Sequence, residues 1–256
     1  STTAQITDNC GMLEAYAEVD KALADLNGNT AAFRLSEDKA FLEAMMQEML
    51  QTLFYGNEGT EPEAFTGLTP RFNSTTPENG QNIILGGGAG TDNTSIWLVV
   101  WGPNTVHGII PKGSTAGFQH RDLGEVTIEN VDGANGRMQG YRTHYRWDAG
   151  LSVRDWRYVV RIANIDKSDL VKNAATGADL IDLMTQALER VQSLTGGRPV
   201  FYVNRVIKSM LRRQMVNKVV NSTLSMDEVA GKPVMTFAGF PVRRVDQLAG
   251  DEALVS

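Results

Sequence analysis

Residues 36–57, SEDKAFLEAMMQEMLQTLFYGN, carry the longest helical pattern of this chain and constrain its fold more than any other stretch. Leu42, Met45, Met46, Met49, Leu53 and Phe54 recur at three- and four-residue spacing, and Phe41 and Leu50 widen the stripe. Ser36 stands where a cap is wanted, Glu37 and Asp38 put negative charge in the first turn, and Gly56 stops the helix. A helix of about 20 residues is a rod roughly 30 Å long. So wide a stripe asks to be buried along much of its length, so the rest of the chain is expected to lay sheets on the rod.

Composition narrows the function classes. The 256 residues suffice for one large domain or two modest ones, and 42% hydrophobic with 21% charged residues describes a folded protein. A net charge of −6 argues against a dedicated nucleic-acid binder while allowing a local basic face. Cys10 is the only cysteine, which excludes an intrachain disulfide and a cysteine-cluster metal site and fits a reducing compartment or a particle assembled in one. No apolar run approaches the roughly 18–20 residues of a membrane span. The chain does not begin with Met and STTAQITDN starts as if in mid-strand, so an earlier portion is expected ahead of it.

Along the chain, Ala4–Asp8 is a strand candidate, Met12–Glu18 is extended or helical, and Val19–Leu26 favours helix before the breaker Asn27-Gly28-Asn29. Residues 57–95 are rich in Gly, Pro, Asn, Thr and Ser, a long irregular stretch of the kind used for binding or assembly. Phe65, Leu68 and Phe72 within it are expected to be exposed for contact with neighbours. Ile96–Trp101 (IWLVVW) reads as a buried strand, with Val106–Ile110 its partner across Gly102-Pro103-Asn104. Val126–Val131 is another strand. Gln139–Asp166 alternates aromatic and β-branched residues with arginines and predicts long strands, arranged as a hairpin. The last third predicts a helix over Ala178–Leu194, a strand at Pro199–Val203, a basic helix over Arg205–Asn217, and two closing strands at Val234–Phe237 and Val242–Val245. The absence of a regular βαβα rhythm makes this α+β.

Catalytic signatures are weak. Gly86-Gly87-Gly88-Ala89-Gly90 follows Ile83–Leu85, but Thr91–Thr94 leads into a strand where a dinucleotide or phosphate cradle needs a helix. His107, His120 and His144 have no metal-ligand spacing, and no nucleophile elbow is present. Asp148 and Asp155 stand near arginines as ion-pair partners. Thus no catalytic, cofactor-binding or metal residues are assigned. Arg142, Arg146, Arg154, Arg157 and Arg161 interleave with Tyr and Trp and suit either phosphates and bases or a neighbouring subunit. Arg205, Lys208, Arg212, Arg213 and Lys218 suit DNA, an acidic patch on a partner, or plain solvent.

Five pieces in order, LFYGN…AFTGLTPRFN, TSIWLVVWGPNTVHGIIPKG, WDAGLSVRDWRYVVRIANID, GRPVFYVNRVIKSMLRRQ and FAGFPVRRVD, resemble the major capsid proteins of tailed double-stranded-DNA bacteriophages, above all short-tailed ones. The resemblance runs from about Asp8 to Asp246. It implies the Hong Kong 97-type major capsid fold, an α+β subunit with a long spine helix, peripheral and axial domains and an extended loop. On that reading residues 1–35 hold the return strand of the extended loop and its lead-in. Residues 36–56 with 139–166 form the peripheral domain, 57–138 join the domains, and 167–256 form the axial domain. The implied partners are copies of the chain in hexamers and pentamers, scaffolding, cementing or decoration and portal proteins, and packaged double-stranded DNA contacted without sequence reading. Its place is the virion capsid, assembled in the host bacterial cytoplasm, with no membrane. Two alternatives stand beside it: an encapsulin-type nanocompartment shell, and an enzyme acting at the Gly-rich loop with nearby carboxylates.

Overall fold

The computed structural model describes residues 4–26, 28–172, 174, 177–217, 224–229 and 232–256, with the backbone alone at 217, 224–229, 232 and 233. In chain order the elements are β1 (Cys10–Asp20), α1 (Lys21–Asp25), α2 (Thr30–Tyr55), α3 (Leu68–Arg71), β2 (Ile83–Leu85), β3 (Asn93–Trp101), β4 (Val106–Ile109), β5 (Phe118–Glu129), β6 (Arg137–Val153), β7 (Val159–Asp166), α4 (Leu180–Arg190), β8 (Arg198–Val203), α5 (Arg205–Asn217), β9 (Leu224–Val229), β10 (Lys232–Phe237) and β11 (Phe240–Arg244). They fall into two compact units, Ser1–Thr66 with Gly108–Leu151 and Gly67–His107 with Ser152–Ser256.

The first unit is a helix on a ribbon. β6 runs antiparallel to β1 from Cys10↔Gly150 to Asp20↔Gly140, and antiparallel to β5 from Phe118↔Trp147 to Glu129↔Arg137. The β5 register shifts between Asp122 and Gly124, where Gly124 takes φ +70°. The side-chain period of two sends Leu13, Ala15 and Ala17 of β1 with Tyr145 and Trp147 of β6 to one face, where Leu42 and Met45 of α2 meet them. α2 starts six residues before Ser36, because the Asn29 side chain accepts the Ala32 N–H at 3.4 Å and TAAFRL continues the helix inward. The expected end is found: the Gly56 N–H donates to Thr52 O at 2.8 Å. The stripe is spent differently from expectation. Asp38, Met45, Met49, Thr52 and Phe54 are buried, whereas Leu35, Phe41 and Met46 stay exposed.

The second unit is a mixed sheet in the order β2-β7-β3-β8-β11-β10-β9. β7 and β8 flank β3 antiparallel, while β2 joins β7 and β11 joins β8 in parallel. Both faces are covered, which explains the continuous apolar runs: all eight residues of β7 are buried. Ile96, Leu98 and Val100 of β3 pack with Phe201 and Val203 of β8 against Leu180, Met184 and Ala187 of α4 and Ile207 and Leu211 of α5. On the opposite face Trp97 meets Phe72 edge-on at 6.1 Å. Gln214 of α5, fully buried, accepts the Leu180 N–H at 3.2 Å and donates to Val171 O at 3.1 Å, fixing α5 against the start of α4.

Several expectations change. Ala4–Asp8 is irregular, and the first strand starts at Cys10. Gln139–Asp166 is not a hairpin, since β6 pairs with β1 and β5 while β7 pairs with β2 and β3. Val106 does partner β3 across the turn, but in parallel and at Trp101, beyond Val99 where the pairing with β7 ends, and its carbonyl accepts the Gly102 N–H at 2.9 Å. Phe65, Leu68 and Phe72 are at most 3% exposed, so this irregular chain packs inward. Asn27 lies outside the described residues.

Candidate functional site

The ribbon offers two chemically different faces. Away from α2, the register sets Glu14 opposite Arg146, Tyr16 opposite His144 and Glu18 opposite Arg142. Arg142 Nε donates to Glu18 Oε1 at 2.6 Å, and its guanidinium lies 5.7 Å from the Tyr16 ring centroid. Tyr16 stacks on His144 at 4.7 Å, and His144 Nε2 meets Glu14 Oε1 at 2.5 Å. Arg146 Nε meets Asp148 Oδ1 at 3.0 Å; this bond and then Ser114 hold the Asp148 carboxyl below its usual range. The result is a ladder of balanced charge and aromatic surface. Facing α2, the Tyr145 hydroxyl donates to Asp38 Oδ2 at 2.6 Å, and burial followed by that carboxylate pushes Tyr145 up to about 12. Arg34 grips Asp122 with two bonds of 3.0 and 2.6 Å.

In the second unit the remaining strand arginines separate by environment. Arg154 donates to Pro103 O at 3.1 Å, and Arg157 pairs with Asp155 at 2.6 Å. The expected ion pairs at Asp148 and Asp155 are therefore both formed. Arg161 is 2% exposed. Its Nε donates to Ser95 Oγ at 3.0 Å, Nη1 to Phe72 O at 2.7 Å and Nη2 to Glu252 at 2.9 Å, with the guanidinium 5.2 Å from the Trp97 ring. It works inside its own chain. The Gly-rich loop spends its amides likewise: Gly86 N–H donates to Ala163 O at 2.7 Å and Gly88 N–H to Asn164 O at 2.8 Å. Of the nearby carboxylates, Asp166 accepts the Ser168 hydroxyl at 2.7 Å, and Ser168 N–H reaches Asp92 at 3.1 Å.

The basic helix α5 opens where β8 ends. Asn204 Oδ1 accepts the Ile207 N–H at 2.9 Å, and its amide donates to Thr94 Oγ1 at 2.9 Å. Ile207, Met210, Leu211 and Gln214 turn inward, which leaves Arg205, Arg212 and Arg213 exposed and Lys208 half-buried. Sequence reasoning missed two neighbours. The parallel pairing of β11 with β8 sets Arg243 beside Tyr202 and Arg244 beside Val203, close to this helix. Partial burial, then Arg212, Arg244 and Arg243, hold the Lys208 ammonium below its ordinary pKa. The signal was the Arg243-Arg244 pair at the end of a short strand, but only the pairing brings it to α5. Lys218 lies outside the described residues. Among the described residues no helix is long and apolar enough to cross a membrane, and no three His, Cys, Asp or Glu side chains cluster as metal ligands.

A chain from a near-atomic structure of bacteriophage epsilon15, derived from cryo-EM and modelling, superposes on this one with a TM-score of 0.70 at 37% identity, covering 100% of this chain and 79% of that one. Comparison with curated proteins gives no match. The fold is of the Hong Kong 97 type, and the class is that of structural subunits of a phage capsid. The profile of the family described as Major capsid protein GP7 matches residues 1–256, and the chain belongs to that family. As such it assembles with copies of itself into the shell of a virion.

Proposed function

We propose that copies of this chain form hexamers and pentamers that close into an icosahedral shell around double-stranded DNA, with no reaction to catalyse. The observation that carries this is apolar surface left unspent in the first unit. Its ribbon and long helix share a core cluster of three buried residues, Ala17, Met45 and Tyr145, while Leu23, Leu26, Leu35 and Met46 are each more than half exposed. Full burial of such a side chain is worth about 1.5–3 kcal/mol. Four of them at half exposure forgo on the order of 4 kcal/mol per copy, which contacts around a closed ring recover. In this arrangement α2 with β6 and β7 serve the peripheral domain, β1 the return of the extended loop, and residues 167–256 the axial domain. The balanced ladder through Arg142 and Arg146, with Arg154 and Arg157, serves contacts between copies, and the cations of α5 face the genome. Assembly takes place in the host bacterial cytoplasm, with scaffolding, cementing and portal proteins as further partners.

The test is electron microscopy of the expressed chain. Closed shells with fivefold and sixfold capsomers are expected. Leu35→Lys with Met46→Lys should leave subunit folding within about 0.5 kcal/mol, because both sites are exposed, yet reduce closure. Shells filled with protein cargo in place of nucleic acid would favour a nanocompartment. Small oligomers that turn over a substrate would refute the shell.

A further inference from the structure

The chain is acidic as a whole, with a net charge of −6. One place in the second unit reverses that sign. β8 and β11 run parallel, so both present their C-terminal ends at the same edge of the sheet. α5 starts from the β8 end, and β11 delivers Arg243 and Arg244 beside it. Arg205, Lys208 and Arg212 are spaced by three and four residues and share one flank of α5. Arg213 is turned about 100° away from Arg212. Among the described residues, Arg212, Arg244 and Arg243 are the charges that bear on Lys208, and all three disfavour its protonation. Among the described residues, Asp246 is the acid that joins this group. It is already held by Arg244 Nε at 2.7 Å and Nη2 at 2.5 Å and by Arg205 Nη2 at 3.2 Å, which keep its carboxyl down at about 2. A shallow depression of about 250 Å³ adjoins the band, lined by Lys167, Arg205, Asp246 and Gly250.

We propose that Lys208, Arg212, Arg243 and Arg244, extended by Arg205, form a single site for the phosphodiester backbone of double-stranded DNA, built jointly by α5 and β11. This rests on the reading of the chain as a shell around DNA and narrows it to named cations. Like charges crowded together repel, and the arrangement gains when a polyanion displaces counterions from it. Phosphate contacts need only cations and carry no sequence information. Among the described residues the band has no exposed aromatic on which a base would stack. Its large exposed apolar residues among the described ones, Val206 and Val216, are both aliphatic, so it also lacks the aromatic centre that marks a protein interface.

The experiment measures binding of a short duplex to the purified full chain as salt is varied. Each phosphate neutralised contributes about −0.9 to the slope of log K against log salt, so four contacts give about −3.6. Arg212→Glu with Arg243→Glu should flatten that slope by about 1.8 or more. Arg121→Glu with Arg198→Glu makes the same change in net charge at exposed sites off the band and should alter the slope by less than a third as much. Arg212→Gln with Arg243→Gln, which adds no new charge, should give an intermediate loss, with circular dichroism confirming the fold. Equal effects from the two Glu pairs would overturn the site. So would unchanged duplex binding together with failed shell closure, which would assign the cations to an acidic surface of a neighbouring copy. Closure by the unsubstituted chain is scored separately by electron microscopy, so loss of the shell reading and loss of this site are distinguishable.

Discussion

Glu252→Ala removes the carboxylate that Arg161 meets inside the second unit. Both side chains are almost fully buried, at 2% and 5% exposure, with Nη2 and Oε2 2.9 Å apart. Breaking such a pair by deleting one partner typically costs about 3–5 kcal/mol, since the remaining charge stays in a poorly polarisable site. Here the guanidinium keeps Ser95 Oγ, Phe72 O and the Trp97 face, which places the loss near the lower end. Ser95 Oγ, however, also bonds Glu252 and loses that acceptor, adding about 1 kcal/mol. The sum is about 4 kcal/mol. For a unit of this size about 2–4 °C of melting temperature goes with each kcal/mol, so a drop of about 8–16 °C is expected for the unassembled chain. The effect should spread along the C-terminal segment. Val255 N–H and C=O both bond the Asn164 side chain at 2.9 Å, and Ser256 O accepts the Thr75 N–H at 2.9 Å. Hydrogen exchange should therefore quicken at residues 74–76 and 252–256. Arg161→Met with Glu252→Leu should cost less than Glu252→Ala alone, because no unpaired charge remains. A drop below about 2 °C for Glu252→Ala, or a double variant as unstable as the single one, would show that the pair does not hold this unit together.

Tyr145 gives a pH prediction. Its hydroxyl is pushed from 10 up to about 12, so the neutral form is favoured in the folded chain. A raised acid pKa stabilises below the unfolded value and loses that stability as pH rises through the folded one. The helix–ribbon unit should therefore weaken between pH 10 and about 12, and Tyr145→Phe should remove that part of the pH dependence in a melting series; an unchanged profile argues against it. Gly140→Ala would drive a Cβ into Ile128 Cδ1 and to 2.7 Å from the Val19 carbonyl, where β5 and β1 both press on β6. A loss of about 1–3 kcal/mol is expected in denaturant unfolding, and a neutral result would mean the ribbon is looser than its register implies.

Much of the architecture was legible because it rests on local pattern. The alternation around Tyr141–Trp147, the run IWLVVW and the basic face of Arg205–Asn217 each state a period and a burial. What stayed hidden was pairing. Nothing local tells that β6 belongs with β1, more than 110 residues earlier in the chain, or that β11 runs parallel to β8, and both facts decide where charges meet. The start of α2 misled for a related reason: Ser36 and Asn29 are both competent caps, and the helical propensity of Thr30–Leu35 chose between them. Arg161 looked like its fellow arginines because period-two spacing cannot distinguish an outward face from one covered by Phe72 and Glu252. Likewise, a wide stripe on α2 cannot say whether the cover comes from its own chain or from another copy.

Sedimentation velocity on the expressed full-length protein tests the central claim most directly. Self-assembly through unspent apolar surface and charged ribbon faces predicts material sedimenting as large closed particles at concentrations where most of the chain is incorporated. A stable monomer or dimer across that range, under conditions where the fold is intact, would contradict it.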